Sequence, residues 1–162
     1  LASDGAAPSW FGSSVSISGD TAVIGAYRDD DYGFSSGSAY VYRFDGTQWT
    51  QEAKLLASDG AYDDYFGNRV SISGDTAVIG AYRDDDNGSS SGSAYIFRFD
   101  GSGWIQEAKL LAADGAANDS FGIVLRAALN SSEISNPSSG LSSCHFSQWR
   151  NFSLGSPSPE AN

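Results

Sequence analysis

Two runs of three aspartates are the strongest candidates for chemistry in this sequence. Each run follows an arginine, which gives the letters RDDD, and leads into a Gly- and Ser-rich stretch. The two segments are residues 28–38 and 83–93. Because successive side chains alternate in an extended segment, the first and third aspartates of a run point the same way. Carboxylates that converge in this way suit a hard cation such as calcium, with serine hydroxyls and backbone carbonyls completing the shell. The sequence therefore suggests four metal ligands: Asp29, Asp31, Asp84 and Asp86.

A solvated loop is the alternative interpretation of these runs. Their spacing does not follow the D-x-D-x-D-G pattern of calcium loops. Calcium takes six to eight oxygens, and three consecutive carboxylates place the middle one away from an ion that its neighbours share. Both interpretations stay open. We expect added salt to act on these loops by screening, without a calcium-specific effect, and we expect no other cofactor.

The runs recur because the whole chain repeats with a period of 55 residues. Residues 1–55 and 56–110 agree at 42 of 55 positions, and a third copy begins at residues 111–122. A period of about 40–55 residues is typical of four-stranded propeller blades. We therefore assign 1–55 to a first blade, 56–110 to a second and 111–122 to the start of a third.

Four apolar runs joined by Gly-containing turns make up each copy, which predicts a four-stranded antiparallel sheet. No stretch shows a sustained helical period, so the predicted class is all-β: a β-propeller fragment of two blades and the start of a third. The predicted strands of the first blade are 13–18, 21–27, 38–44 and 48–55. Those of the second blade are 68–73, 76–82, 93–99 and 103–110.

The letters FG followed by VIGA, and then by SGSAY, carry a resemblance to a known family. They stand at residues 11–12, 23–26 and 36–40 and again at 66–67, 78–81 and 91–95. This pattern resembles the FG-GAP repeat, in its bacterial form, which builds the propeller of integrin α-chains. The resemblance implies a non-catalytic module of an extracellular or cell-surface protein that takes part in adhesion, with a protein or glycan as its ligand.

One departure from the family bears on calcium. In the integrin-type repeat, an aspartate-rich calcium loop lies between the FG strand and the GAP strand. Here that interval reads only SISGDTA, with the single aspartates Asp20 and Asp75. The resemblance therefore implies no calcium site at that place, and calcium-binding structural repeats remain an alternative only through the aspartate runs.

Charge and composition limit the classes of partner and function that the sequence predicts. The net charge is −11, and all sixteen aspartates lie in residues 1–122, so nucleic acid is not expected as a partner. The sequence contains no apolar stretch of about 20 residues, so membrane insertion is not predicted. Neither the lone Cys144 nor the lone His145 stands in a catalytic motif, so no enzyme activity is predicted. A chain without methionine that starts inside a repeat suggests part of a longer protein, and an enzyme with its active site elsewhere in that protein is a further alternative.

The remaining expectations concern packing and the end of the chain. Trp49 and Trp104 are predicted to pack in the core or between blades, with sugar stacking as the alternative. Open blade edges and uncovered apolar faces favour self-association. Residues 123–162 lose the repeat pattern and are rich in serine. They fit either a disordered extension or a shift of reading frame.

Overall fold

Residues 9–123 are described in the computed structural model, and over this range the chain forms eight β-strands and no α-helix. The first sheet has the order β1-β2-β3-β4 and the second has the order β5-β6-β7-β8, with every neighbouring pair antiparallel. This confirms the predicted two blades. The strands of the first sheet are β1 (Ser14–Ser18), β2 (Thr21–Ala26), β3 (Ser38–Phe44) and β4 (Trp49–Leu55). Those of the second are β5 (Phe66–Ser73), β6 (Thr76–Ala81), β7 (Ser93–Phe99) and β8 (Trp104–Leu110).

Short turns set the antiparallel order. Gly19 takes a φ of 55° between β1 and β2, a conformation that glycine adopts without steric cost. Between β3 and β4, the carboxylate of Asp45 accepts hydrogen bonds from the Thr47 hydroxyl at 2.6 Å and from the backbone N–H groups of Thr47 and Gln48. These bonds lower the pKa of Asp45 to about 2. The β1–β2 and β3–β4 hairpins are therefore closed by their own turn residues.

β5 begins two residues before its predicted start. Phe66 pairs with Ala81, and the register then shifts before Arg69, so Gly67 lies in a bulge with a φ of 83°. The side chain of Phe66 is fully buried. Burial of this ring draws the FG turn into the sheet, an effect that the alternation of residues 68–73 does not reveal.

The FG turn of the second blade also forms the junction with the first. The backbone N–H of Tyr65 donates to Ser35 O at 3.1 Å, and that of Phe66 donates to Ser36 O at 3.0 Å. A Cβ atom placed on Gly25 would collide with the carbonyl oxygen of Gly67. Only glycine permits this approach, which explains why the VIGA segment ends in Gly-Ala.

The same junction recurs at the start of the third repeat. Gly92 forms a parallel bridge with Phe121, as Gly37 does with Phe66. A Cβ atom on Gly80 would collide with the carbonyl oxygen of Gly122. The FG turn is therefore the connecting element of the repeat.

Serines of β1 connect the inner edges of the two blades. The hydroxyls of Ser14, Ser16 and Ser18 each accept a backbone N–H of the second blade at 3.1 Å. The donors are Val70, Ile72 and Gly74. Serine at every second position therefore satisfies the edge of the neighbouring strand, where free N–H groups would otherwise invite pairing with other chains.

The hydrophobic core lies between the two sheets. Trp104, in the second blade, packs against this core as expected. Trp49, in the first blade, is 43% exposed and does not. The core is formed by Val23, Ala39, Val41, Leu55, Ala57, Phe66, Val70, Ile72, Ala77, Ile79, Ala81, Tyr95 and Phe97.

Within residues 9–123, no helix is long and apolar enough to cross a membrane. The predictions for residues 124–162, including the serine-rich tail, fall outside the described residues.

Replacement of Gly25 by alanine is expected to destabilise the fold severely. The new methyl group would have to displace the backbone of Gly67, and we expect a loss of about 3 kcal/mol in the free energy of unfolding. Gly103→Ala is the control, because a Cβ there meets no atom within 4 Å. Urea denaturation measures both variants, and equal stability of the two would contradict the close approach.

Candidate functional site

The aspartate runs and the last strand of each blade meet at the same end of the sheet. β2 ends at Ala26, β3 begins at Ser38 and β4 ends at Leu55, and these three strands are antiparallel neighbours. Tyr40 lies directly opposite Lys54 in the β3–β4 register. The loop after β2 therefore faces one tyrosine and one lysine that share a face of the sheet.

In the second blade, one lysine lies at the centre of three carboxylates. Lys109 Nζ is 2.7 Å from Asp59 Oδ2, 2.8 Å from Asp84 Oδ2 and 2.7 Å from Asp86 Oδ2. The same ammonium lies 5.2 Å from the centroid of the Tyr95 ring, which adds a cation–π contact. The positive charge of Lys109 thus offsets much of the mutual repulsion of these carboxylates.

Asp84 is the buried member of this cluster. Its Oδ2 atom accepts a hydrogen bond from Ser93 Oγ at 3.1 Å. The Tyr95 hydroxyl lies 2.9 Å from both Asp84 Oδ2 and Asp59 Oδ1, and its single proton serves one of them at a time. The Ser93 hydroxyl and the Lys109 ammonium therefore both donate to this buried carboxylate, which offsets the cost of its burial.

The first blade repeats the arrangement. Lys54 Nζ is 3.1 Å from Asp29 Oδ2 and 2.6 Å from Asp31 Oδ2. Asp29 Oδ2 also accepts hydrogen bonds from Ser38 Oγ and from the Tyr40 hydroxyl, each at 2.8 Å. The counterpart of Asp59 in this blade is residue 4, which lies outside the described residues.

The middle aspartate of each run points elsewhere. Asp30 Oδ1 accepts the backbone N–H of Ser35 at 2.7 Å, and Asp85 Oδ1 accepts that of Ser90 at 2.6 Å. These bonds hold the middle of each loop, and Ser35 and Ser90 take left-handed φ values of 54° and 51°. The middle carboxylates therefore fix the backbone while their neighbours bind lysine.

The structure thus brings Asp29 together with Asp31, and Asp84 together with Asp86, around an ammonium group. Carboxylate oxygens of Asp59, Asp84 and Asp86 lie within 4.8 Å of one another, but a calcium ion would have to displace Lys109 to reach all three. Calcium takes six to eight oxygens, and as arranged the lysine fits these carboxylates better than calcium does. Calcium binding by these residues stays a prediction.

Sequence reasoning missed both lysines and Asp59. The available signal was the sequence QEAKL, which closes both copies without a change. A strand that ends on aliphatic residues does not need a lysine there, so its repetition pointed to a role for that lysine. Its meaning depended on the register between β3 and β4, which places Tyr40 opposite Lys54.

Although burial acts to raise the pKa of Asp29 and of Asp59, hydrogen bonds from a lysine and from neighbouring hydroxyl groups lower both values. Burial alone would raise the pKa of Asp59, but hydrogen bonds from Lys109 and Tyr95 outweigh it and lower the pKa. Hydrogen bonds from Ser38, Tyr40 and Lys54 likewise outweigh burial and lower the pKa of Asp29. For Lys109, burial acts to lower the pKa, yet hydrogen bonds to three carboxylates raise it.

Asp64 gives the contrast. It is 7% exposed and accepts the backbone N–H of Ala61 at 2.7 Å, but it makes no ion pair with Lys109. Burial raises its pKa to about 6, and the charge of nearby Asp84 adds to the rise. The backbone hydrogen bond from Ala61 thus does not offset the effect of burial on the pKa of Asp64.

Lys109→Met is expected to destabilise the protein by about 3 kcal/mol, because three carboxylates would face one another without a cation. Arg98→Met is the matched control. It breaks the ion pair with Glu107 at 2.9 Å, whose two side chains are 49% and 45% exposed, and should cost less than about 1 kcal/mol. Urea unfolding at pH 7 measures both, and similar losses in the two variants would contradict a central role for Lys109.

Comparison with known proteins agrees with this architecture. The family model described as FG-GAP repeat matches residues 1–42, 49–97 and 104–125, well over half of the chain. No curated protein matches the chain. The matched segments contain all three FG dipeptides, both aspartate runs and both lysines. With two four-stranded antiparallel blades joined at their FG turns, the chain belongs to the FG-GAP repeat family.

Proposed function

We propose that this chain is a non-catalytic propeller module of an extracellular or cell-surface protein, which binds a protein or glycan through the loops at one end of its blades. FG-GAP repeats are generally structural, and they typically occur in extracellular and cell-surface proteins. The function of such a module is to hold loops in place and to present their variable side chains.

The observation that carries this proposal is the common backbone of the two loops after β2 and β6. The N–H of Gly37 donates to Asp29 O at 2.8 Å, and that of Gly92 donates to Asp84 O at 2.8 Å. The residues that make these bonds are shared by both blades, whereas the residues displayed at positions 32 and 34 differ from those at 87 and 89. A backbone of fixed conformation that displays variable side chains is what a binding surface requires.

The charged groups of the candidate site support a structural role. Lys54 and Lys109 are the cations of the site, and both are in ion pairs with the aspartates of the adjacent loop. A general base needs an unsatisfied lone pair directed at a substrate, whereas Asp84 already accepts from Ser93 and Lys109. An accessory role beside an active site elsewhere in a longer protein is the enzymatic alternative.

Self-association is a second part of the proposal. Val15 and Ile17 on β1 are 60% and 61% exposed, whereas their counterparts Val70 and Ile72 are buried against the first blade. The free face of the first blade therefore has the same apolar character as a face that packs in this fold, which supports association with another blade.

The change in melting temperature on addition of calcium distinguishes the proposed module from a calcium-stabilised repeat. If lysine alone neutralises the loops, 5 mM calcium should leave the melting temperature within about 1 °C of that in sodium chloride at matched ionic strength. A site filled at 100 times its Kd would instead add about 2.7 kcal/mol. Differential scanning calorimetry measures this difference.

The control for this experiment is the fourfold variant Asp29→Asn, Asp31→Asn, Asp84→Asn and Asp86→Asn. Stoichiometric calcium binding at micromolar affinity in isothermal titration, lost in this fourfold variant, would show that the loops are metal sites. The proposal that lysines hold them would then be wrong.

A further inference from the structure

Three exposed aromatic side chains lie together where the two blades meet. Tyr32 and Phe34 stand in the loop between β2 and β3, and Tyr62 stands in the segment between β4 and β5. They are 54%, 57% and 70% exposed. The rings of Phe34 and Tyr62 lie 5.8 Å apart at 32°, and the Tyr32 ring lies against Gly60. We call these three residues the aromatic patch.

The second blade shows that the fold does not need the patch. The equivalent positions at its junction with the third repeat hold Asn87, Ser89 and Ala117. The backbone is nevertheless joined in the same way. Asp63 N–H donates to Phe34 O at 2.9 Å, and Asn118 N–H donates to Ser89 O at 2.8 Å.

The turns inside the two loops also agree. Gly33 N–H donates to Asp30 O at 3.1 Å, and Gly88 N–H donates to Asp85 O at 2.9 Å. The aromatic side chains are thus among the few differences between the copies, the rings of Phe34 and Tyr62 are in contact, and all three leave the backbone unchanged. Exposed aromatic clusters that a fold does not require are typical of binding surfaces.

Charge at the rim of the patch favours a neutral ligand. Asp31, beside Tyr32, pairs with Lys54 at 2.6 Å, and Asp63, beside Tyr62, pairs with Arg83 at 2.6 Å. These pairs offset charge that would otherwise attract a cationic ligand. The net charge of −11 repels an anionic one.

The size and chemistry of the patch fit sugars. Three rings cover much less area than the roughly 800 Å² that each partner buries in a stable protein complex. One or two pyranose rings match that area, since their C–H faces stack on aromatic rings. Carboxylate oxygens at the rim accept hydrogen bonds from hydroxyl groups, as a sugar would supply.

We infer that the aromatic patch of Tyr32, Phe34 and Tyr62 binds a neutral glycan by stacking sugar rings on its side chains. This inference rests on the proposed function as a binding module and names its ligand class and its site. Binding is reversible and involves no bond making or breaking in the glycan.

The repeat itself supplies the variants for the test. A first triple variant replaces the aromatic patch by the residues found at the second junction: Tyr32→Asn, Phe34→Ser and Tyr62→Ala. The reciprocal change, Asn87→Tyr with Ser89→Phe and Ala117→Tyr, builds a second patch. Ile105→Thr is the control, because it replaces a 51% exposed apolar residue elsewhere by its counterpart from the first blade.

The probes are neutral hexasaccharides of glucose, mannose and N-acetylglucosamine, with hexagalacturonate and hexalysine for comparison, titrated into the full chain by calorimetry. We expect at least one neutral hexasaccharide to bind with a Kd of about 0.1–1 mM. The first triple variant should bind it at least tenfold more weakly with an unchanged melting temperature, and Ile105→Thr should bind normally. The reciprocal variant should raise the stoichiometry from one to two.

Several results would overturn the inference. If no neutral hexasaccharide binds, or if only hexalysine or hexagalacturonate binds, the ligand class is wrong. If a hexasaccharide binds equally well to the first triple variant, the site is wrong while the proposed binding function stands. If that variant loses stability, the reciprocal variant decides, and an unchanged stoichiometry of one contradicts the assignment.

Discussion

The close approach of the FG turn to the preceding blade is the constraint on which this structure depends. A Cβ atom on Gly25 would collide with the carbonyl oxygen of Gly67, a Cβ atom on Gly67 would collide with that of Ser38, and Gly37 bridges directly to Phe66. The contact is between backbones, so the geometry of the junction does not depend on the side chains displayed around it. Both junctions in the described part of the chain follow this rule, and both bring the same loops to the same end of the sheets.

The lysine–aspartate clusters are the second level of organisation, and they act within a blade. Each joins the loop after the second strand to the end of the fourth strand. A lysine supplies the positive charge without depending on the concentration of a free ion. The conformational entropy lost by its side chain is offset by hydrogen bonds to several carboxylates at once. These loops are therefore held from two directions: by the junction at the backbone and by the ammonium at the side chains.

The sequence predicted the fold well and the site only in outline. The 55-residue period, with 42 of 55 positions identical, predicted the blades, and four apolar runs joined by Gly-containing turns predicted the strands. The predicted start of β5 was late because burial of Phe66 depends on the neighbouring blade. The roles of Lys109 and Asp59 depend on strand register and on a contact 50 residues apart in sequence, which local patterns do not encode.

Native-state hydrogen exchange of the junction amides tests the central claim most directly. The N–H groups of Tyr65 and Phe66 donate to carbonyls of the first blade, so they should exchange only when the protein unfolds globally. We expect their protection at neutral pH to equal that of the amides of Val78 and Ile79 within β6. Exchange of Tyr65 and Phe66 at rates near those of an unfolded chain, with β6 still protected, would contradict the account.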